Sequence, residues 1–289
     1  MPLKISRRSL VAWALSLPVA FAVFATNTGT VSAETTLERI QKQGSVRIGF
    51  ANEVPWAYPG EGNKPLSFVN AHVLGVLKKM GINKVEPVVT EWGGLIPGLK
   101  ANRFDIITGG MYILGSRCEN VNFSDPMGVF GDAFIVAKGN PKGIQTYEDI
   151  KNKGAVLVTG AGFNIVEVAK KEGIAESNIM QVPGPTEILA AVKAGRADAG
   201  GVTYFTALNL AKESGGAVAV TDPSKLPEWT LNFVGIGFRK SDTALLEAFN
   251  KAQAGHLGSS EMLADLAQYG YTKAQLPGGV TTEYACANR

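Results

Sequence analysis

Short β-branched runs alternate with amphipathic stretches of helical period along most of this chain, and they do so in two successive series. In the first, residues 45–51, 84–89 and 104–109 read as strands, with helices over 71–80 and 92–101 between them. After a further strand at 134–138 the pattern restarts. Strands at 155–159, 178–182 and 197–202 then alternate with helices at 164–172 and 186–194. Strands joined through helices are parallel neighbours, so the fold class is α/β. Two series of about 100 residues each imply two lobes. The last stretch, 242–269, is amphipathic and helical and has no strand of its own to cover. The simplest topology returns it to the first lobe and makes the second lobe an insertion, with chain crossings near 136–139 and 235–238. The expected lobes are therefore 34–136 plus 238–289, and 137–237, with the paired crossings acting as a hinge.

Composition narrows the function. Histidine and cysteine each occur only twice, as His72 and His256 and as Cys118 and Cys286. A His/Cys metal cluster or a histidine-based catalytic triad would have almost nothing to be built from. The formal charge of +3 arises in the first eight residues, from Lys4, Arg7 and Arg8; beyond them 25 basic residues balance 25 acidic ones. A neutral body offers no electrostatic case for nucleic acid or an acidic membrane surface. The basic residues open a three-part segment: an apolar run over 10–25 follows them, and then Val31-Ser32-Ala33, small residues where a signal peptidase reads. The run is shorter than the roughly 20 residues of a spanning helix and contains Pro18. Residues 1–33 are thus expected to be a cleaved signal peptide, with a mature periplasmic protein starting near Glu34. An oxidising compartment leaves Cys118 and Cys286 free to pair, at a gain of up to ~5 kcal/mol. Two buried thiols are the alternative.

In open α/β sheets, ligands bind beyond the carboxyl ends of the strands. After the first strand come Glu53 and Trp56, after the second Trp92, and after the third Tyr112, with Arg117 five residues later. An arginine there offers a fork for a carboxylate; an ion pair with Glu119 or Asp125 would be its structural alternative. Any one of the aromatics alone would be a core residue, but three at consecutive strand ends describe the walls of a slot. Aromatic faces attract a cation by roughly 0.5–2 kcal/mol each. Glu53 would complement the same charge, or else be a plain surface carboxylate. In the second series a glycine-bearing turn at 159–164 precedes a helix, and Asn164 would either cap that helix or touch a ligand. The turn lacks the lysine and hydroxyl of a phosphate loop, which sets nucleotide binding aside.

Several motifs stand in a telling order: the 45–51 strand leading into Glu53-x-Pro55-Trp56, then Phe104-Asp105-Ile106-Ile107-Thr108-Gly109-Gly110, Arg117, Asn122-Phe123-Ser124-Asp125-Pro126 and Ala194-Gly195-Arg196-Ala197-Asp198. In that order and spacing the chain resembles the amino-acid-type solute-binding proteins of ABC importers over essentially its whole mature length. The resemblance implies a two-lobed periplasmic-binding-protein fold of type II, with a ligand cleft between the lobes and two hinge strands. It also implies a monomer without cofactor or metal that does no chemistry on its ligand. Its partners would be a small zwitterionic solute and the membrane subunits of an ABC permease, to which the closed lobes deliver the solute.

Members that hold ordinary α-amino acids carry an aspartate a few residues after the Gly-Arg-x-Asp motif; here that position is Thr203. Within the family the chain looks like the ectoine and hydroxyectoine binding proteins. Glu53, Trp56, Trp92, Tyr112 and Arg117 stand where those proteins hold a cyclic amidinium between aromatic rings and its carboxylate on an arginine. Cys118 and Cys286 match their cysteine pair, and Asn164 stands at a position that can be threonine. Another polar amino acid or a betaine-like zwitterion is the alternative ligand. A periplasmic enzyme resembling cyclohexadienyl dehydratase, with Glu53 as its general acid, is a third reading.

Overall fold

A computed structural model describes residues 34–289; the expected signal segment lies outside them. In chain order the strands are β1 (Ser45–Phe50), β2 (Tyr58–Pro59), β3 (Pro65–Leu66), β4 (Lys84–Val89), β5 (Ile106–Tyr112), β6 (Asn122–Phe123) and β7 (Gly128–Phe130). They continue with β8 (Asp132–Ala137), β9 (Leu157–Gly160), β10 (Ile179–Val182), β11 (Ala199–Thr203), β12 (Val218–Val220) and β13 (Asn232–Phe238). Two sheets result. The first runs β4-β1-β5-β13-β6, with β7 also beside β13; the second runs β10-β9-β11-β8-β12. β1 is parallel to β4 and β5, and β9 to β10 and β11, as helix-linked strands must be. β5 and β13 are buried at every residue, so neither shows the apolar–polar alternation of a half-exposed strand.

The helix Phe68–Lys79 covers the first sheet, and Thr243–Ala254 and Ser260–Ala267 pack onto that helix in turn. Their shared core contains Ile48, Phe50, Phe68, Val73, Leu77, Ile236 and Phe249. The helical stretch expected over 242–269 is two helices. Gly258 takes a left-handed φ of 74° between them, and the Ser259 side chain accepts from the Met262 amide to start the second. The second sheet is buried on both faces, against one cluster around Phe134, Tyr147 and Ile165 and another around Val158, Ile188 and Leu210.

Both expected crossings, near 136–139 and 235–238, fall at the far ends of strands. β8 pairs with β11 and β12 along its length, and β13 pairs with β5, β6 and β7, so each strand lies wholly in one sheet. The chain changes sheet at Gly131 and returns between Val220 and Asn232. β5 likewise runs past its expected end, which makes Tyr112 its last residue rather than a loop residue.

Cys118 and Cys286 form a disulfide across a sequence separation of 168, tying the turn Gly115–Cys118 to the helix Thr282–Asn288. Just before β5, Asp105 is fully buried and takes three arginines: Arg39 at 2.6 Å, Arg47 at 2.7 Å and Arg239 at 3.4 Å. Burial works against its charge. Hydrogen bonds from Arg47 and Arg39 outweigh that and hold the carboxyl below its ordinary value.

Candidate functional site

The loops after β1, β4 and β5 in the first sheet face those after β9 and β11 in the second, and a cavity of only about 20 Å³ lies between them. Glu53, Trp56, Trp92, Tyr112, Arg117, Asn164 and Thr203, all named from the sequence, line it together with Gly109, Gly110 and Phe163. The turn after β1 is held by its own backbone, with the Trp56 amide donating to the Glu53 carbonyl at 2.7 Å and the Glu53 amide to that of Ala57 at 2.8 Å. Trp56 is both wall and core. Its ring lies 5.0 Å from Phe68, 4.7 Å from Phe130 and 6.0 Å, edge-on, from Tyr112. Gly110 takes φ 77°, and a Cβ there would run into the Trp56 ring, so only glycine lets the tryptophan lie flat against β5.

Side chains of one lobe bond directly to the other. Trp56 Nε1 donates to Thr203 Oγ1 at 2.7 Å, Thr203 to Thr206 Oγ1 at 2.9 Å, and Thr206 to Glu53 Oε1 at 2.7 Å. This relay starts and ends in the first lobe and passes through the second. A second latch is the Gly162 carbonyl, which accepts from Trp92 Nε1 at 3.1 Å and from Arg117 Nη2 at 3.0 Å. Ser116 donates to Glu167 at 2.9 Å beside it. The described conformation is therefore a closed one.

Arg117 is buried and pairs with neither Glu119 nor Asp125. Its guanidinium donates to the carbonyls of Tyr112 and Gly162, each at 3.0 Å, and lies 5.7 Å from the Trp92 ring centroid. Burial lowers its pKa to about 10, an effect opposed by the negative charge of Glu167. It stays charged at neutral pH with donors to spare for an anion. Glu53 is raised by burial to about 7 against the bond from Thr206. Asn164 is the first residue of the helix Asn164–Lys171 and not its cap; its amide donates to Asp132 Oδ2 at 2.6 Å.

The sequence reading missed Asp132, Phe163 and Thr206. Phe163 crosses the cleft to meet Trp92 edge-on at 5.4 Å. Asp132 heads β8, is 1% exposed, and is raised to about 7 by burial against bonding from Asn164 and the charge of Arg117. One signal for it was present: a carboxylate opening the otherwise apolar run Asp132-Ala133-Phe134-Ile135-Val136-Ala137.

The raised Glu53 pKa carries a pH dependence. The folded protein holds this proton more tightly than the unfolded chain does, so the contribution is complete below about 4.5 and lost as pH rises through about 7. Asp132 acts in the same sense, and His72, lowered to about 4 by burial, in the opposite one. The clean measure is therefore a comparison with Glu53→Gln. From pH 4.5 to 7 the native protein should lose up to about 3 kcal/mol of unfolding free energy relative to the variant. A pH-independent difference in urea titrations would mean that Glu53 titrates as an ordinary carboxylate.

Residues 46–269 match the family of bacterial extracellular solute-binding proteins, family 3. A probable amino-acid ABC transporter periplasmic-binding protein, y4tE of Sinorhizobium fredii, is 32% identical over 265 residues, covering 89% of this chain and 88% of its own. The L-cystine-binding protein TcyJ of Escherichia coli is 27% identical over 225 residues, 76% of this chain and 80% of its own. Among solved structures, EhuB in complex with hydroxyectoine superposes with a TM-score of 0.80 at 29% identity, over 89% of this chain and 99% of its own. The ancestral amino acid-binding protein AncCDT-1, a precursor of cyclohexadienyl dehydratase, gives 0.71 at 28%, over 82% and 100%. With this coverage by the family and by a relative of full length, the chain belongs to the bacterial extracellular solute-binding proteins of family 3.

Proposed function

We propose that this protein is the periplasmic solute-binding component of an ABC importer and that its solute is ectoine or hydroxyectoine. The observation that carries the reading is one cavity lined by Trp56, Trp92 and Tyr112 together with Glu53 and Arg117. A cyclic amidinium spreads its positive charge over a ring. Flat aromatic faces suit such a charge better than a point carboxylate does. Thr203 adds to this, because its hydroxyl is engaged by Trp56 and Thr206 and brings no counter-charge for a primary ammonium. The carboxylate of the same solute would lie on the free donors of Arg117. Support from outside the chain is the likeness to EhuB. The Thr203–Thr206–Glu53 relay and the Gly162 latch would then close the lobes over the solute, and the closed form would be what the permease reads.

Calorimetric titration tests this. Ectoine or hydroxyectoine should give saturable binding, and Trp92→Ala should weaken it by roughly 2- to 30-fold, the loss of one cation–π face. Heat from cystine or a polar amino acid instead would move the assignment to the specificity in the names of the other relatives. A second reading has one observation in its favour: Glu53, held near 7, has the titration range of a general acid, and AncCDT-1 is a precursor of an enzyme. Turnover of a cyclohexadienyl substrate by the purified protein would establish it.

A further inference from the structure

A larger groove, of about 600 Å³, shares no lining residue with the cavity that holds Trp56 and Arg117. Both lobes and both linkers contribute to it. Val129 and Phe130 come from β7 of the first sheet, and Tyr204 and Phe205 open the helix Tyr204–Glu213 of the second lobe. Gly131 and Leu231, from the two segments where the chain changes sheet, line it as well. Leu231 leans over Gly131, where a Cβ would come within 3.1 Å of the leucine Cδ2, and yet it is 39% exposed. Phe130 and Phe205, one from each lobe, meet edge-on at 5.4 Å, and Phe130 also touches Trp56 at 4.7 Å. Thr203 lines the solute cavity while its neighbour Tyr204 lines the groove. The lobes therefore touch between the two spaces. Linker residues line the groove and none lines the cavity, so the hinge lies on the groove side and the cleft opens away from it. Rotation about such a hinge moves its two sides in opposite senses. Closing the cleft parts the walls of the groove, and opening the cleft brings them together.

We infer that this groove is the contact surface of the open form, and that its apolar walls, with Leu231 between the linkers, drive the lobes apart at the cleft. The occupant of the groove is its own opposite wall. Closure at the front is held by polar bonds across the cleft, from Trp56 to Thr203, from Thr206 to Glu53, and from Trp92 and Arg117 to Gly162. At the back it leaves apolar side chains parted and Leu231 in contact with water. Shutting the groove removes that surface from water, which favours the open form. Solute affinity then includes the work of parting the groove, and anything that keeps its walls from meeting raises the closed population and the affinity together. The inference holds for any solute over which the cleft closes. Its readout by titration rests on the ectoine-type reading; its readout by scattering does not.

The test uses Leu231→Asp, with Leu231→Ser as a milder change in the same sense. Both remove apolar surface from the groove, and the aspartate adds a charge beside Glu228 that a shut groove would have to bury. Residue 231 does not line the solute cavity. In small-angle X-ray scattering without solute, the radius of gyration should fall from the native protein to Leu231→Ser to Leu231→Asp. Titrated with ectoine, Leu231→Asp should bind roughly three- to tenfold more tightly than the native protein, and Leu231→Ser by a smaller factor. The gain should lie chiefly in slower dissociation. A leucine that served only to pack the linkers would give unchanged or weaker binding on removal. An unchanged or larger radius of gyration in both variants would overturn the inference, as would ectoine binding that is no tighter in either. Absence of heat from ectoine in all three proteins would remove the ectoine reading and leave the groove to be decided by scattering. Cooperative thermal unfolding of both variants shows that the comparison is between folded proteins.

Discussion

With alanine in place of Arg117, titration with ectoine should register no saturable heat. The guanidinium is buried, and two of its nitrogens hold the carbonyls of Tyr112 and Gly162, one in each lobe. Its remaining donors are the only cationic ones among the residues lining the cavity. Without them a solute carboxylate would enter a desolvated cleft unpaired, facing Glu53. Truncating one partner of a buried charged pair costs about 2–5 kcal/mol, a factor of roughly 30 to several thousand in affinity. The Gly162 latch is lost with it, so closure is weakened as well. Arg117→Lys separates the two effects: a compact ammonium restores charge without the fork and should recover only part of the affinity. If Arg117→Ala binds within tenfold of the native protein, the arginine is a latch between the lobes and the acid group of the solute lies elsewhere.

Removing the disulfide should cost the most stability of any paired substitution in the molecule. The Cys118–Cys286 link spans a sequence separation of 168, about two thirds of the described chain, and native disulfides contribute about 2–5 kcal/mol. For a protein of this size that corresponds to a fall in melting temperature of roughly 5–15 °C in Cys118→Ser with Cys286→Ser. Calorimetry of the native protein under reducing conditions should reproduce the variant. Cys118 adjoins Arg117, so solute affinity should also fall, though less than in Arg117→Ala. An unchanged melting temperature would show that the packing of the helix Thr282–Asn288 suffices by itself.

The first-lobe half of the site was legible because Glu53, Trp56, Trp92 and Arg117 each follow a strand whose end the hydrophobic pattern marks. A parallel sheet places consecutive strand ends on one edge, so order in sequence becomes proximity in space. The second-lobe half was less legible for the same reason in reverse. Asp132 stands at the beginning of an antiparallel strand, and it meets Asn164 behind the cavity because β8 runs against its neighbours. Reading that strand as starting at residue 134 left the carboxylate outside it. Thr206 and Phe163 work by contacts made across the cleft, to Glu53 and Trp92. Such contacts depend on the closure angle, which no local pattern encodes. The chain crossings were displaced because apolar runs mark where strands lie and say nothing of which sheet recruits them.

The place of β13 sets an order of events for the emerging polypeptide. This late strand lies inside the first sheet, between β5 and β6, whereas every strand of the second sheet comes from the continuous segment 132–220. The segment made first must therefore wait, with one edge of β5 unpaired, until β13 is available. The inserted lobe, made later, has all its strands in hand sooner. The first sheet can thus be completed only after the second has all of its strands. Until its last quarter arrives the chain is an incomplete first sheet carrying a finished second one. A protein built in this order stays unable to close on a solute until nearly all of it has been delivered.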